Sequence, residues 1–250
     1  MFRIRVAELL VDIEPRYVLI GEWCREYMAD REEGTEPDIS IQISDQEIRR
    51  EISACPYPIE PEAAELISVS KALGKELPRF DALFLHAATF TIDGKAYAIC
   101  ADSGTGKSTL LRSCKELLGR RVGLVNGDKT IIRYLDGQMI AFGSPWCGKE
   151  RWGENTSCLL NGLILLSRGE ENRIEEVNPM LHLPALMRQV YIPREGSRYG
   201  KNILELLNHL FEQTRVYDMT CRKDPEAARA LFRGIHIDLG EREDKVGGRK

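Results

Sequence analysis

Two hundred and fifty residues fit one large domain or two small ones and suffice to bury a substantial core. With 35 basic against 39 acidic side chains the formal net charge is −4, which gives no global pull toward nucleic acid or an anionic membrane. The first fifteen residues lack the apolar core of a signal peptide and no apolar run reaches the length of a membrane span, so we expect a cytoplasmic protein.

Residues 2–8 alternate through Phe2, Ile4 and Val6 and predict a strand, with 17–23 as its partner. Beyond a charged turn at 30–36, Ile39, Ile41 and Ile43 alternate in a third strand, and the charged stretch 45–51 predicts a short helix or an extension. Pro56 and Pro58 mark a connection. Pro61 then opens a helix to about Leu77, with Ala64, Ile67 and Leu73 on one face, Gly74 weakening its end and Pro78 stopping it. Residues 1–80 read as a small N-terminal α+β unit, β-rich at its start, in which no chemistry is evident.

From Ala82 the pattern becomes β. Leu83, Leu85, Phe90 and Ile92 precede Asp93-Gly94, and Tyr97 and Ile99 follow it, which is strong hairpin chemistry. The second arm leads through 101–106 into a helix at 107–118 that Gly119 should end. A strand at 121–125 follows, then a second hairpin, 131–134 with 139–142, around Asp136-Gly137. Residues 143–157 are polar, glycine-bearing and aperiodic, with two tryptophans, as lids and binding loops are. A buried strand at 159–166 is expected to pair with 174–177. Helices at 179–190 and 201–213, a strand at 215–220 and a helix after Asp224-Pro225 complete the unit. The domain division is therefore 1–80, 81–236, and a disordered charged tail at 237–250.

Seven cysteines (positions 24, 55, 100, 114, 147, 158 and 221) form an odd set with no C-x-x-C pair and no zinc spacing, and they point to a reducing compartment. The chemistry concentrates instead at Ser103-Gly104-Thr105-Gly106-Lys107-Ser108-Thr109. An apolar strand, a small-residue loop and an apolar-periodic helix (Leu110, Leu111, Cys114, Leu117, Leu118) form the context of a phosphate-binding P-loop. Polyphosphate is held there by backbone N–H groups converging from the loop and from the helix N-terminus. Gly104 and Gly106 let the backbone turn inward, Lys107 sets an ammonium on the outer phosphates, and Ser108 offers a hydroxyl to magnesium. Ala101 stands where the pattern has its first glycine, so the loop must begin with ordinary dihedrals.

With Leu85-His86 upstream, the SGTGKST loop, and Gly123-Leu124-Val125-Asn126-Gly127-Asp128 downstream, the chain resembles the catalytic domain of HPr kinase/phosphorylase and the wider phosphoenolpyruvate-carboxykinase-like kinases. The similarity covers roughly 82–235 and weakens beyond residue 145. It implies an α/β fold with a P-loop nucleotide-binding core and a mixed, hairpin-rich sheet. In that family a histidine lies where His86 stands, and an Asp-Asp pair ends the strand after the P-loop helix; here those positions are Gly127-Asp128, one carboxylate short. The family's glycine- and arginine-rich signature region has no counterpart, and residues 143–150 look instead like the loop of small HPr-kinase-like proteins.

What the resemblance implies is an ATP- and magnesium-using phosphotransferase acting on a hydroxyl, a serine of a protein or peptide, with catalytic residues Asp128, Lys107 and His86. Ser103 through Thr109 would hold the nucleotide, Thr109 at the α-phosphate, and Ser108 and Asp128 the metal. Asp128 faces two jobs, metal binding and proton acceptance; as a plain turn residue after Asn-Gly it would do neither. His86 is a general acid/base, a phosphate contact, or a strand-end histidine with a satisfied hydrogen bond. Asp102 either orients Lys107 or caps the turn. Lys149, Glu150, Arg151 and Trp152 either close over nucleotide or form a solvated loop, and Arg194, Arg198 and Lys201 either engage an acidic partner or form a solvated charge run. The second functional class is a nucleotide-binding regulatory module without turnover, motivated by Ala101 and by Gly127. An ABC-type or motor ATPase is weak, with no LSGGQ-like signature. HPr-kinase-like proteins can be hexameric, which leaves a homo-oligomer open.

Overall fold

The N-terminal residues build a three-stranded sheet, β1 (Phe2–Val6), β2 (Leu9–Glu14) and β3 (Ile39–Gln42). The computed structural model describes residues 1–30, 35–193 and 199–239. β1 and β2 pair antiparallel around Ala7 and Glu8, both at positive φ (+49° and +60°). A turn with two left-handed central residues normally recruits Asn-Gly; Ala-Glu carries no such signal, and β2 was not foreseen. The expected partner strand at 17–23 is instead a helix, α1 (Leu19–Trp23). Its start is set from far along the chain: the fully buried Glu65 carboxylate accepts the N–H groups of Arg16 (2.6 Å) and Tyr17 (3.0 Å). The 45–51 stretch is helical, α2 (Asp45–Ala54), opened by a capping box in which Ser44 and Glu47 bond each other's backbone N–H. α3 (Pro61–Glu76) covers this sheet, and one apolar cluster runs from Ile4, Ile13 and Leu73 across to Phe84, Phe142 and Trp146.

Eight strands make the second sheet: β4 (Ala82–Ile92), β5 (Lys95–Cys100), β6 (Gly123–Asn126), β7 (Lys129–Leu135), β8 (Gln138–Phe142), β9 (Ser157–Arg168), β10 (Arg173–Val177) and β11 (Arg215–Cys221). Their order is β10-β11-β9-β5-β4-β7-β8, with β6 on β4. β8 also pairs with the start of β9, so β9-β5-β4-β7-β8 close a circuit of pairings. β9 lies parallel to both β5 and β11, and β10 pairs with β11 rather than with β9 as expected.

Strict alternation divides the central strands between two cores. Ala96, Ala98 and Cys100 of β5 and Leu163 and Leu165 of β9 face one side, covered by α6 (Gly200–Gln213) through Ile203, Leu206, Leu207 and Leu210. Tyr97, Ile99, Ile164 and Leu166 face the other, under α4 (Lys107–Leu118) and α7 (Glu226–Gly234). The helix expected at 179–190 is a 3₁₀ turn followed by the short α5 (Leu183–Met187), because Gln189–Tyr191 must extend to reach β4. Ile237 and Leu239, the first part of the expected disordered tail, pack against the α4/α7 core; residues 240–250 lie outside the described residues. All seven cysteines are free thiols. No helix among the described residues is long and apolar enough to cross a membrane.

Candidate active site

β5 ends at Cys100 and α4 begins at Lys107, so residues 101–106 carry the chain from the sheet into the helix. Gly104 and Gly106 lie at φ +80° and +125°, where a side chain would strain the backbone. The space beyond both is open: a Cβ at either would meet no atom within 4 Å. Ala101 does not adopt positive φ and is packed in the core with Leu110 and Leu111, which is how an alanine serves at this position. The main-chain carbonyl of Asp102 accepts the Thr105 N–H (3.2 Å) and that of Gly106 accepts the Leu110 N–H (2.9 Å), which starts the helical ladder. Ser103 is exposed, Ser108 half-buried and Thr109 exposed at the helix start. The first turn's N–H groups have no intrahelical partner. Arg168, at the end of β9, donates to the carbonyls of Gly104 and Thr105 and so sets a guanidinium against the loop.

Lys107 is buried, and its Nζ donates to the Ala101 carbonyl at 2.7 Å. That bond aims the ammonium at His86, whose Nε2 is 3.2 Å away. The same Nε2 lies 3.3 Å from Asp128 Oδ1. His86 of β4, Lys107 of α4 (21 positions on) and Asp128 of the turn between β6 and β7 thus converge on one point beside the loop. Desolvation lowers the Lys107 pKa, against the opposing pull of Asp128, Cys100 and Asp102. Burial raises Asp128, but the hydrogen bond and charge of His86 in its doubly protonated form, with Lys129 and Lys107, outweigh it and hold the carboxyl below its ordinary value. Asp128 is therefore an anion at neutral pH. Asp102 does not orient Lys107; its Oδ1 accepts from Gln189 instead.

Asp128 is fixed by its own turn. The buried Asn126 accepts the N–H groups of Asp128 and Lys129 through Oδ1, both at 2.8 Å, and donates from Nδ2 to the Ser144 carbonyl at 2.9 Å. Residues 143–157 do not hang over the 101–106 loop but back this turn. Trp146 is buried between Phe84 and α3, its Nε1 donating to the Leu66 carbonyl (2.9 Å). Trp146 O accepts the Lys129 N–H, and Gly153 bridges to Asn126. A Cβ on Gly127 would lie 2.7 Å from the Cys147 carbonyl and 3.0 Å from that of Trp152. The loop therefore leaves no room for a side chain at position 127. Arg151 stacks over Trp23 (4.9 Å) rather than facing Lys107, Trp152 lies under Arg112, and Lys149 and Glu150 are exposed. Arg194 and Arg198 lie outside the described residues, and Lys201 pairs with Glu205 at 3.4 Å.

Two clefts flank the loop. One, about 490 Å³, is bordered by Asp102, Arg188 and Gln189; the other, about 530 Å³, by Thr109, Ser113 and Asp224; Arg168 borders both.

No family model matches this sequence, and no curated protein matches it. Among solved structures it is similar to the Hpr(Ser) kinase/phosphatase from Coxiella burnetii, at 12% identity and a TM-score of 0.38, over 61% of this chain and 88% of that one.

Arg168, Gln189, Asn126 and Ser144 escape a sequence reading as site residues. Only Asn126 carried a signal, the turn chemistry of Asn-Gly-Asp. The other three reach the site through pairings of distant segments.

Proposed function

We propose that this chain is an ATP-dependent phosphotransferase that moves the γ-phosphoryl group of ATP, with magnesium, to a hydroxyl on a protein or peptide serine. The observation that carries this is the convergence of Lys107 Nζ, His86 Nε2 and Asp128 Oδ1, within 3.2–3.3 Å, at the mouth of a glycine-opened strand–loop–helix turn. In phosphoryl transfer the protein's work is mostly positioning and neutralisation of charge. The residues fit a magnesium-bound polyphosphate: open space above Gly104 and Gly106, a helix N-terminus, a hydroxyl at Ser108 and an ionised carboxylate at Asp128. Ser108 and Asp128 would hold the metal, which when bound neutralises charge on the terminal phosphates. Residues 103–109 bind phosphate through backbone N–H groups, Lys107 faces the outer phosphates, and Asp128 with His86 closes the side where the acceptor hydroxyl arrives.

The test measures transfer from labelled ATP to a co-encoded protein or peptide in Lys107→Ala and Asp128→Asn. Losing Lys107 removes charge-assisted hydrogen bonds worth roughly 1.5–3 kcal/mol each, so nucleotide affinity falls about tenfold or more. Both variants abolish transfer; transfer that survives both rules the mechanism out. A second reading, a nucleotide-binding regulatory module without turnover, is favoured by the packing at Gly127 that excludes a second carboxylate. Tight ATP binding by calorimetry with no product over hours would select it.

A further inference from the structure

β5 ends at Cys100, opposite Ala87, and then turns away into the loop. The edge of β4 that it vacates is taken by another segment: the His86 N–H donates to the Gln189 carbonyl at 2.7 Å, and the Tyr191 N–H to that of Phe84 at 2.9 Å. Gln189, only 5% exposed, is thereby wedged between the loop and His86. Its side-chain amide has one orientation that suits both neighbours. Asp102 Oδ1, 3.3 Å away, is an acceptor and so faces the amide NH₂. The amide oxygen therefore faces His86 Nδ1, at 3.2 Å, and that nitrogen must carry the hydrogen. A neutral imidazole protonated on Nδ1 leaves a lone pair on Nε2. That lone pair faces the Lys107 ammonium at 3.2 Å, and a proton arriving on it faces Asp128 Oδ1 at 3.3 Å, the hydrogen bond that holds the Asp128 carboxyl low once the ring is charged.

We infer that Gln189 is a positioning residue: anchored by Asp102, it holds His86 in the Nδ1–H tautomer and keeps Nε2 open toward Lys107 and Asp128. The chemical consequence rests on the phosphotransfer reading. As the acceptor oxygen bonds to the γ-phosphorus, its O–H bond breaks and the proton passes to Nε2; the P–O bond to the β-phosphate breaks and its electron pair leaves on ADP. A ring carrying its hydrogen on Nε2 has no lone pair there to receive that proton. With Gly127 in place of a second carboxylate, His86 supplies the proton acceptor and Asp128 is left for the metal.

Long-range ¹H–¹⁵N correlation spectra of the labelled full chain at one neutral pH, with His86 assigned by the signals lost in His86→Asn, read the tautomer directly. Wild type shows Nδ1 protonated. Gln189→Leu, similar in volume, shifts the ring toward Nε2–H and lowers kcat about 100-fold, while KM for ATP moves by less than about twofold. Gln189→Glu alone sets two carboxylates together; paired with Asp102→Asn it reverses the donor and acceptor and recovers kcat to within about tenfold of wild type. An Nε2–H ring in wild type, or an unchanged Nδ1–H ring in Gln189→Leu, overturns the inference. If the spectra behave as expected but wild type transfers no phosphoryl group, the phosphotransfer reading falls and the hold of Gln189 on the ring stands.

Discussion

Gly127 offers the most direct test of why this site has one carboxylate. Its φ is not in the left-handed region, so alanine there meets no backbone strain and the whole effect comes from space. An added Cβ would stand 2.7 Å from the Cys147 carbonyl oxygen, 3.0 Å from the Trp152 carbonyl oxygen and 3.3 Å from Trp152 Cβ. Carbon and oxygen ordinarily come no closer than about 3.3 Å. Two of the three obstacles are main chain and cannot rotate away. They belong to a loop held by the buried Trp146 and by the pairing of Asn126 with Gly153. Relief needs a shift of that loop or of the turn carrying Asp128, and overpacking of this kind costs about 1–3 kcal/mol. For a chain of this size each kcal/mol moves Tm by about 2–4 °C, so Gly127→Ala should melt about 2–12 °C lower. Circular dichroism melts at pH 7 give the shift, and under the proposed function calorimetry gives an accompanying loss of ATP affinity. Gly127→Asp, which writes the resembled carboxylate pair back into the sequence, costs at least as much and does not raise turnover. A melt within about 1 °C of wild type for Gly127→Ala, with ATP affinity unchanged, would refute the idea that packing excludes the second carboxylate.

Two further expectations follow from the same neighbourhood. Trp146→Ala empties the junction between Phe84, α3 and the loop, and should cost about 3–5 kcal/mol in urea unfolding; a loss below about 1 kcal/mol would mean that Trp146 does not pin the loop. Asp128 has a folded-state pKa held below its unfolded value, so the stability it contributes is present above about pH 4 and disappears as the pH falls through the lower folded value. The unfolding free-energy gap between wild type and Asp128→Asn should therefore narrow on acidification below about pH 4, and a gap that widens instead contradicts the assigned partners.

What the sequence disclosed divides by the range of the forces involved. Both Asp-Gly hairpins, α4 with its Gly119 stop, and the amphipathic α6 follow from neighbours within a few residues, and their bounds were close to those expected. β2 stayed hidden because its turn uses Ala7 and Glu8 at positive φ, with no Asn-Gly or Asp-Gly to mark a hairpin. α1 depends on Glu65, nearly fifty residues on, to satisfy the N–H groups before its first turn. The pairing of β10 with β11 could not be read locally either, since β9 and β10 are adjacent in sequence and a hairpin was the simplest expectation. At the site, Lys107, His86 and Asp128 were named from motif and resemblance, and the structure brings them together. Gln189 had no signal at all, because its place follows from where β5 leaves β4.

That last point bears on how a site of this kind is built. The glycine-opened loop requires β5 to leave the sheet, and leaving exposes the backbone edge of β4 at His86. Buried N–H and C=O groups must find partners, so some segment has to dock there, and whichever does acquires a side chain beside the loop. Here it is Gln189, and the bond that satisfies the His86 backbone also delivers the amide that orients the His86 ring. The opposite flank obeys the same constraint: the turn that presents Asp128 is satisfied by Asn126 and by residues 143–157, at the expense of room for a second carboxylate. Backbone satisfaction on the two sides of one loop thus decides which polar groups stand beside it, one histidine ring with a defined tautomer and one carboxylate.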